Sequence, residues 1–304
     1  MNGYAGPRIT AIVGPTASGK TGRAVALARL VGGEIVSADS RQVYRGMDIG
    51  TGKDISEYGD IPCHVIDVAD PGSGYNLCHF LRDSRAAIDG IVERGHVPVI
   101  CGGSGLYVES LLGGIVMSAV PRNDSLRAEL ADTPLERLAD MLATMKRLHN
   151  HTDITDRERA LRAIEIARWQ QENPTPDPVA LPATIVGVDI SRDRRRENIA
   201  LRLRRRLDEG MVDEVKALLD SGVPAETLIG YGLEYRFITN YLLGVHTYDE
   251  MVSLLEIAIC QFAKRQMTWF RGMERRGFTI NWLSSELPVD EFAARAKELT
   301  GQGL

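Results

Sequence analysis

Cysteine is scarce in this 304-residue chain, and the four present (Cys63, Cys78, Cys101 and Cys260) are widely spaced, with no Cys-x-x-Cys pair. That pattern argues against a disulfide framework or a zinc site and reads as reduced core thiols. His64 and His79 stand alone, without metal-ligand spacing, and read as structural or surface groups. Long apolar runs are missing too. No stretch approaches the roughly 20 residues needed to span a bilayer, and Met1 to Arg8 has no apolar signal-peptide core, so no membrane partner and a cytoplasmic location are expected. Excess positive charge is also lacking. The net charge of −5 argues against a chain coated in nucleic acid but leaves room for local basic patches. No internal repeat or low-complexity tract is visible. With 44% hydrophobic and 25% charged residues, the chain has an ordinary soluble composition, enough for one large domain or two.

What is present is concentrated between Gly14 and Thr21. These residues spell Gly-Pro-Thr-Ala-Ser-Gly-Lys-Thr, a full G-x-x-x-x-G-K-[ST] match, after the apolar run Ile9 to Val13 and before a helical pattern carrying Ala24, Leu27, Ala28, Leu30 and Val31. A loop between a strand and a helix N-terminus turns backbone N–H groups and the positive helix end toward an anion. Gly14, Thr16, Ala17, Ser18 and Gly19 would form the cradle, Lys20 adds a point charge, and the Thr21 hydroxyl can ligate Mg²⁺. The bland alternative is a glycine turn that merely joins strand to helix. The motif binds linked phosphates without naming the ester that carries them.

Further strands are expected at Gly33 to Ala38, Pro62 to Val68 and Val97 to Cys101, with an amphipathic helix from Leu77 to Glu93 and another near Leu106 after the Gly102-Gly-Ser-Gly105 turn. Strand, turn and helix in repetition predict an α/β fold, a parallel sheet covered by helices. Asp39 falls where the second strand delivers a carboxylate to the ligand crevice. From Pro121 to Gln171 the pattern is helical and charged, with Leu126, Leu130, Leu135, Leu138, Met141, Leu142, Met145 and Leu148 at helical spacings. The stretch from Glu172 to Pro182 holds four prolines and reads as an exit linker. The expected division is therefore a core of residues 1–115 plus 183–304 and an all-helical insertion over 116–182.

Ala183 to Ile190 resumes the sheet, and a long helix over Arg192 to Ser221 follows. Eight arginines lie between Arg192 and Arg206. They read either as a solvated face or as groups of which one or two meet the ligand. Helices over Ala225 to Leu243 and Tyr248 to Met273, a strand over Phe278 to Leu283 and a terminal helix over Pro288 to Leu304 complete the expectation.

Taken together, Gly14 to Thr21, Ser37-Ala-Asp-Ser-Arg-Gln-Val-Tyr-Arg-Gly-Met-Asp-Ile-Gly-Thr51 and Gly102-Gly-Ser-Gly-Leu-Tyr107 resemble the tRNA dimethylallyltransferases, or tRNA isopentenyltransferases. Ile229-Gly-Tyr231 and Gln261 to Arg271 look like that family's later signatures. The resemblance implies a P-loop NTPase-like fold with a tRNA-binding helical insertion. It also implies transfer of the dimethylallyl group from dimethylallyl diphosphate to N6 of the adenine 3′ to the anticodon, with Mg²⁺ as cofactor. The anticodon stem-loop of tRNA is the expected macromolecular partner, and a monomer is expected.

On the same basis Asp39 would be the general base, since a weakly nucleophilic exocyclic amine needs a carboxylate to orient it and take its proton. A helix cap or a Walker-B-like Mg²⁺ ligand is the alternative for Asp39. Lys20, Thr21 and Arg202 would stabilise the leaving diphosphate, the guanidinium fork matching its oxygens; Arg204, Arg205 or Arg206 could take that place by a one-turn shift. Ser40, Arg41 and Gln42 would hold the adenine and its neighbours, although Arg41 reads equally as a structural ion pair. Ser104, where the family usually has threonine, would contact tRNA. So would Arg157, Arg159 and Arg162 of the insertion, for which a solvated helix face is the alternative, and Lys264 and Arg265. Trp269 and Phe270 read more as core than as stacking groups.

Cys63 stands where many relatives have a second histidine, Thr51-Gly52-Lys53 replaces the commoner Thr-Ala-Lys, and Gly232-Leu-Glu-Tyr extends the Ile-Gly-Tyr signature. The competing functions are an isopentenyltransferase acting on free adenine nucleotides, a P-loop kinase or ATPase, and a tRNA-binding module without catalysis.

Overall fold

The computed structural model describes residues 9–117, 119–145, 154–174 and 176–301. Leu148 of the expected apolar pattern, the stretch Met1 to Arg8 and the end of the expected terminal helix lie outside the described residues.

The chain opens with β1 (Ile9–Val13), α1 (Lys20–Val31), β2 (Gly33–Ser37), β3 (Cys63–His64), α2 (Leu77–Glu93), β4 (Val97–Gly102) and α3 (Gly105–Leu112). After the insertion come β5 (Ala183–Asp189), α7 (Arg192–Asp208), α8 (Met211–Asp220), α9 (Ala225–Gly230), α10 (Leu233–Leu242), α11 (Tyr248–Arg275), β6 (Ile280–Ser284) and α12 (Val289–Leu299). The insertion supplies α4 (Asp124–Glu129), α5 (Leu135–Met145) and α6 (Arg157–Glu172). All six strands are parallel, in the order β3-β2-β4-β1-β5-β6. The near-continuous apolar runs of the central strands β1, β4 and β5 are what a sheet buried on both faces requires. Ile12, Ile35, Val99 and Val186 pack on one side against α1 and against Phe292 and Ala296 of α12. Ala11, Val36, Ile100 and Ile185 pack on the other with Phe80, Leu111, Leu203 and Phe270. Each such Val, Leu, Ile or Phe side chain contributes about 1.5–3 kcal/mol on burial.

The strand order reverses beside β1, with β4, β2 and β3 on one side and β5 and β6 on the other. Ligand crevices of open α/β sheets form at such a point, outside the carboxyl ends of the strands. The loops after β1, β2 and β4 all end there.

Three expected elements differ. β3 is Cys63–His64 rather than a strand to Val68, because Val65 (φ 65°) and Asp67 (φ 54°) turn left-handed. That turn brings the Asp67 carboxylate onto the fully buried Lys53 ammonium, which also meets Asp48 at 2.6 Å and Tyr44 O at 2.6 Å. The long helix expected over Arg192 to Ser221 is two helices, broken at Gly210, whose φ of 96° only glycine adopts without strain. The helix expected over Ala225 to Leu243 likewise breaks between α9 and α10, at Gly232.

Two compact units result, residues 1–114 with 179–304 and residues 115–178. The stretch from Val179 to Pro182, expected in the linker, lies in the core unit. The reason is hydrogen bonding: Leu181 N donates to Leu112 O at 2.9 Å, and Ile9 N to Pro182 O at 3.5 Å.

The second unit has its own small core of Leu126, Leu138, Leu142, Leu161 and Ile164. Glu165, 2% exposed, organises its polar side. Burial would raise this carboxyl, but hydrogen bonds from Arg127 and Arg162 and from Asn123 N hold it at about 2.

Candidate functional site

Gly14 to Gly19 form the turn between β1 and α1, with Ala17 at φ 60°, a left-handed conformation that is costly for a residue with a Cβ. The turn is held from outside. Asn198 Nδ2 donates to Ala17 O at 3.1 Å, and Arg23 Nη1 to Gly19 O at 3.0 Å and Ser18 O at 3.4 Å. Gln266 of α11 joins it to the β4 loop: its Oε1 accepts from Thr16 N at 2.7 Å while its Nε2 donates to Gly103 O at 2.9 Å.

Lys20 opens α1 with its ammonium 3.5 Å from Pro15 O, its one hydrogen-bond partner among the described residues. Burial lowers its pKa from the ordinary 10.5; Cys101 and Asp39 oppose that shift, and Arg202 and Arg206 add to it. Arg202 Nη2 donates to the Thr16 hydroxyl. Burial, and then repulsion from Arg206, bring Arg202 down to about 10, which leaves it cationic at neutral pH. Thr21 places its hydroxyl against the Cys101 thiol, whose pKa burial pushes up to about 11.

Asp39 follows β2. Its Oδ1 accepts from Arg41 N at 2.9 Å, leaving Oδ2 with no partner among the described residues. Lys20, Thr21, Asp39, Arg41, Ser104 and Arg202 all line one cavity of about 350 Å³ in the core unit, and Ile259, Leu233 and Phe262 add an apolar wall. The structure thus brings together the phosphate loop, the Asp39 carboxylate and Arg202 from three separate parts of the sequence.

The remaining expected residues divide. Ser104 accepts from Ser40 N at 3.0 Å and ties the β2 loop to the β4 loop. Gln42 is 9% exposed and its amide is engaged within the protein, accepting from Ser37 Oγ at 3.0 Å and donating to Gly52 O at 2.9 Å. Arg41 makes no ion pair among the described residues, which removes the structural ion-pair alternative. Arg265 lines the cavity with its guanidinium 5.8 Å from the Phe262 ring, whereas Lys264 faces a different groove. Phe270 is core, and Trp269 is 39% exposed with Nε1 donating to Glu109 at 2.7 Å.

In the helical unit Arg157 donates to the carbonyls of Leu130, Ala131 and Thr133, and Arg162 to those of Val120 and Pro121. Both guanidinium groups hold that unit together. Arg159 is more open, paired with Asp156 at 3.1 Å.

Four further groups shape the site; Arg206 is the one-turn alternative to Arg202 named from the sequence, and Gln266 falls within the Gln261 to Arg271 signature. Arg206, 4% exposed, pairs with Asp54 at 3.1 Å beside Arg202. Burial pushes the Glu234 carboxyl up, with Arg206 and Arg202 opposing it. Gln266 is the fourth. For Arg206 the signal was the density of arginines on α7, which marks a face but not the turn that points inward.

Among the described residues no helix is long and apolar enough to cross a membrane. The IPP transferase family model matches residues 42–273, and the isopentenyl transferase model residues 7–58. The chain is 53% identical to tRNA dimethylallyltransferase 2 of Bacteroides fragilis, covering 93% of this chain and 94% of that one. It is 52% identical to tRNA dimethylallyltransferase 1 of Porphyromonas gingivalis, over 92% and 95%. The solved tRNA isopentenylpyrophosphate transferase of Bacillus halodurans superimposes with a TM-score of 0.72 at 29% identity, covering 98% of each chain. With a phosphate loop, a facing carboxylate and a buried arginine in one cavity, and with similarity running over nearly its whole length, the chain belongs to the tRNA dimethylallyltransferase family of transferases.

Proposed function

We propose that this protein transfers the dimethylallyl group of dimethylallyl diphosphate to N6 of the adenine 3′ to the anticodon of tRNA. The observation that carries the reading is the single cavity in which Asp39 faces Lys20, Thr21 and Arg202. The diphosphate sits against the loop N–H groups, with Lys20 and Arg202 matching the charge that grows as the C–O bond breaks. Leu233, Ile259 and Phe262 take the five-carbon chain and keep water from it. Adenine N6 attacks the carbon from which diphosphate leaves, and Asp39 Oδ2 takes the N6 proton as the new bond forms.

Arg41 and Arg265 hold the flipped-out nucleotide at the cavity mouth. Removing a base from its stack costs a few kcal/mol, and polar contacts to its edge offset part of that. Gln42 and Ser104 act by fixing the wall behind it.

The Thr21 hydroxyl offers an oxygen donor of the kind Mg²⁺ prefers. Among the described residues no group of three or more acidic, histidine or cysteine side chains could hold a metal alone, so diphosphate oxygens would complete the shell. Bound there, Mg²⁺ would neutralise charge on the leaving diphosphate.

The test is transfer from labelled dimethylallyl diphosphate, with unmodified tRNA and free AMP offered in parallel and the nucleosides read by mass spectrometry. Label on N6 of the tRNA adenine is expected. Label on AMP alone, or ATP hydrolysis without transfer, would overturn the reading.

A further inference from the structure

Arg192, Arg195 and Arg196 on the first turns of α7 gather with Lys264 of α11 around a groove of about 420 Å³ in the core unit, and Arg271 of α11 lies within electrostatic reach of Arg195. None of these five side chains makes a hydrogen bond or ion pair among the described residues, and Glu256 is the one acid lining the groove. This is unusual in a chain of net charge −5 whose other arginines are mostly paired, such as Arg94, Arg127, Arg205 and Arg276. Burial, with Arg192 and Arg271 adding to it, lowers the Arg195 pKa, so the cluster repels itself until an anion arrives.

We infer that this groove binds the phosphate backbone of the tRNA substrate, a few nucleotides from the adenine that enters the catalytic cavity. The inference rests on the proposed function above. Both helices that line the groove also line the cavity: α7 supplies Arg202 and Arg206, and α11 supplies Arg265 and Gln266. From Arg195 to Arg202 the rise along α7 is about 10 Å. That is roughly three nucleotides of a stacked strand at about 3.4 Å each. No aromatic side chain lines the groove, so it offers no platform for bases. Guanidinium forks and an ammonium suit phosphate oxygens. The core unit thereby carries its own RNA contact, whereas Arg157 and Arg162 are occupied with carbonyls of the helical unit.

The test uses the full-length protein and unmodified tRNA, titrated directly over a range of salt. Substituting R192Q/R195Q/R196Q is expected to weaken tRNA binding about tenfold or more. It should also flatten the slope of log K against log salt by about two, because each lost phosphate contact removes roughly 0.7–0.9. KM for tRNA should rise in parallel, with kcat and KM for dimethylallyl diphosphate unchanged. R192K/R195K/R196K, which keeps the charge, should retain most of the affinity. Wild-type affinity and slope in the glutamine variant would overturn the inference, as would an equal loss in the lysine variant. If the wild type binds tRNA but transfers nothing to it, the proposed activity fails, and the titration still decides the groove.

Discussion

Gln266 Oε1 accepts a hydrogen bond from the Thr16 backbone N–H at 2.7 Å, across 250 residues of sequence. Because its Nε2 donates to Gly103 O, one amide locks the phosphate loop to the turn after β4. Only a side chain with an acceptor and a donor on the same planar group can do both. Gln266→Glu keeps the acceptor but sets a second oxygen against the Gly103 carbonyl. Melting temperature should fall, and kcat/KM for dimethylallyl diphosphate should drop about tenfold, since a buried mismatched polar group costs roughly 1–3 kcal/mol. Thermal melting and steady-state kinetics check the two separately.

Asp39→Asn removes the proton acceptor while preserving shape and the hydrogen bond from Arg41 N. Transfer is expected to fall by about two to four powers of ten, the range for a positioned base. Affinity for tRNA should persist. Retention of wild-type turnover would sink the base assignment.

Gly52 has a left-handed backbone, at φ 64°. An added Cβ would fall on the Arg206 guanidinium, which occupies that space while pairing with Asp54. Gly52→Ala is therefore expected to destabilise the protein by at least about 1 kcal/mol through its backbone alone, and to reduce transfer by displacing Arg206 from beside Arg202. Denaturant unfolding and single-turnover transfer would each register the change. A neutral outcome in both would contradict the packing described.

Glu34, 3% exposed at its side chain, accepts from Arg94 at 2.7 and 3.0 Å and meets His64 and His96, each at 2.6 Å. Hydrogen bonding from Arg94, opposed by burial and aided by the two imidazoles, holds its carboxyl at about 2 instead of 4.5. The folded form is thus the stronger acid. Its stabilising contribution is complete above about 4.5 and is lost as pH falls through about 2. Glu34→Gln should cost on the order of 1–3 kcal/mol at neutral pH, with the gap from wild type narrowing as the medium is acidified. Urea unfolding at a series of pH values measures that gap.

Local chemistry explains which parts were legible in the sequence. The phosphate loop, the strand before it and the placement of Asp39 follow from residues close together in the chain, as does α2, whose start is fixed by the reciprocal cap of Asn76 and His79. The break at Gly210 was hidden because the apolar spacing of α7 and α8 continues across it. The short β3 was hidden because Pro62 to Val68 alternates like a strand, and only the demand of buried Lys53 for Asp67 turns it aside. Glu234 reaches the site from a distant segment that no local pattern marks, and the arginine spacing of α7 does not report which turn points inward.

β1 lies between β4 and β5, and β5 is reached only after the whole helical insertion has been traversed. On a translating ribosome the first four strands can therefore pair while one edge of β1, the strand that carries the phosphate loop, is still bare. Strand pairing across so long a loop is slow, and an uncovered edge is sticky. The helical unit, whose contacts are local, has time to fold first and to shorten the loop that β5 must close. The cavity is complete only once α11 has been made, since Ile259, Phe262, Arg265 and Gln266 all line it.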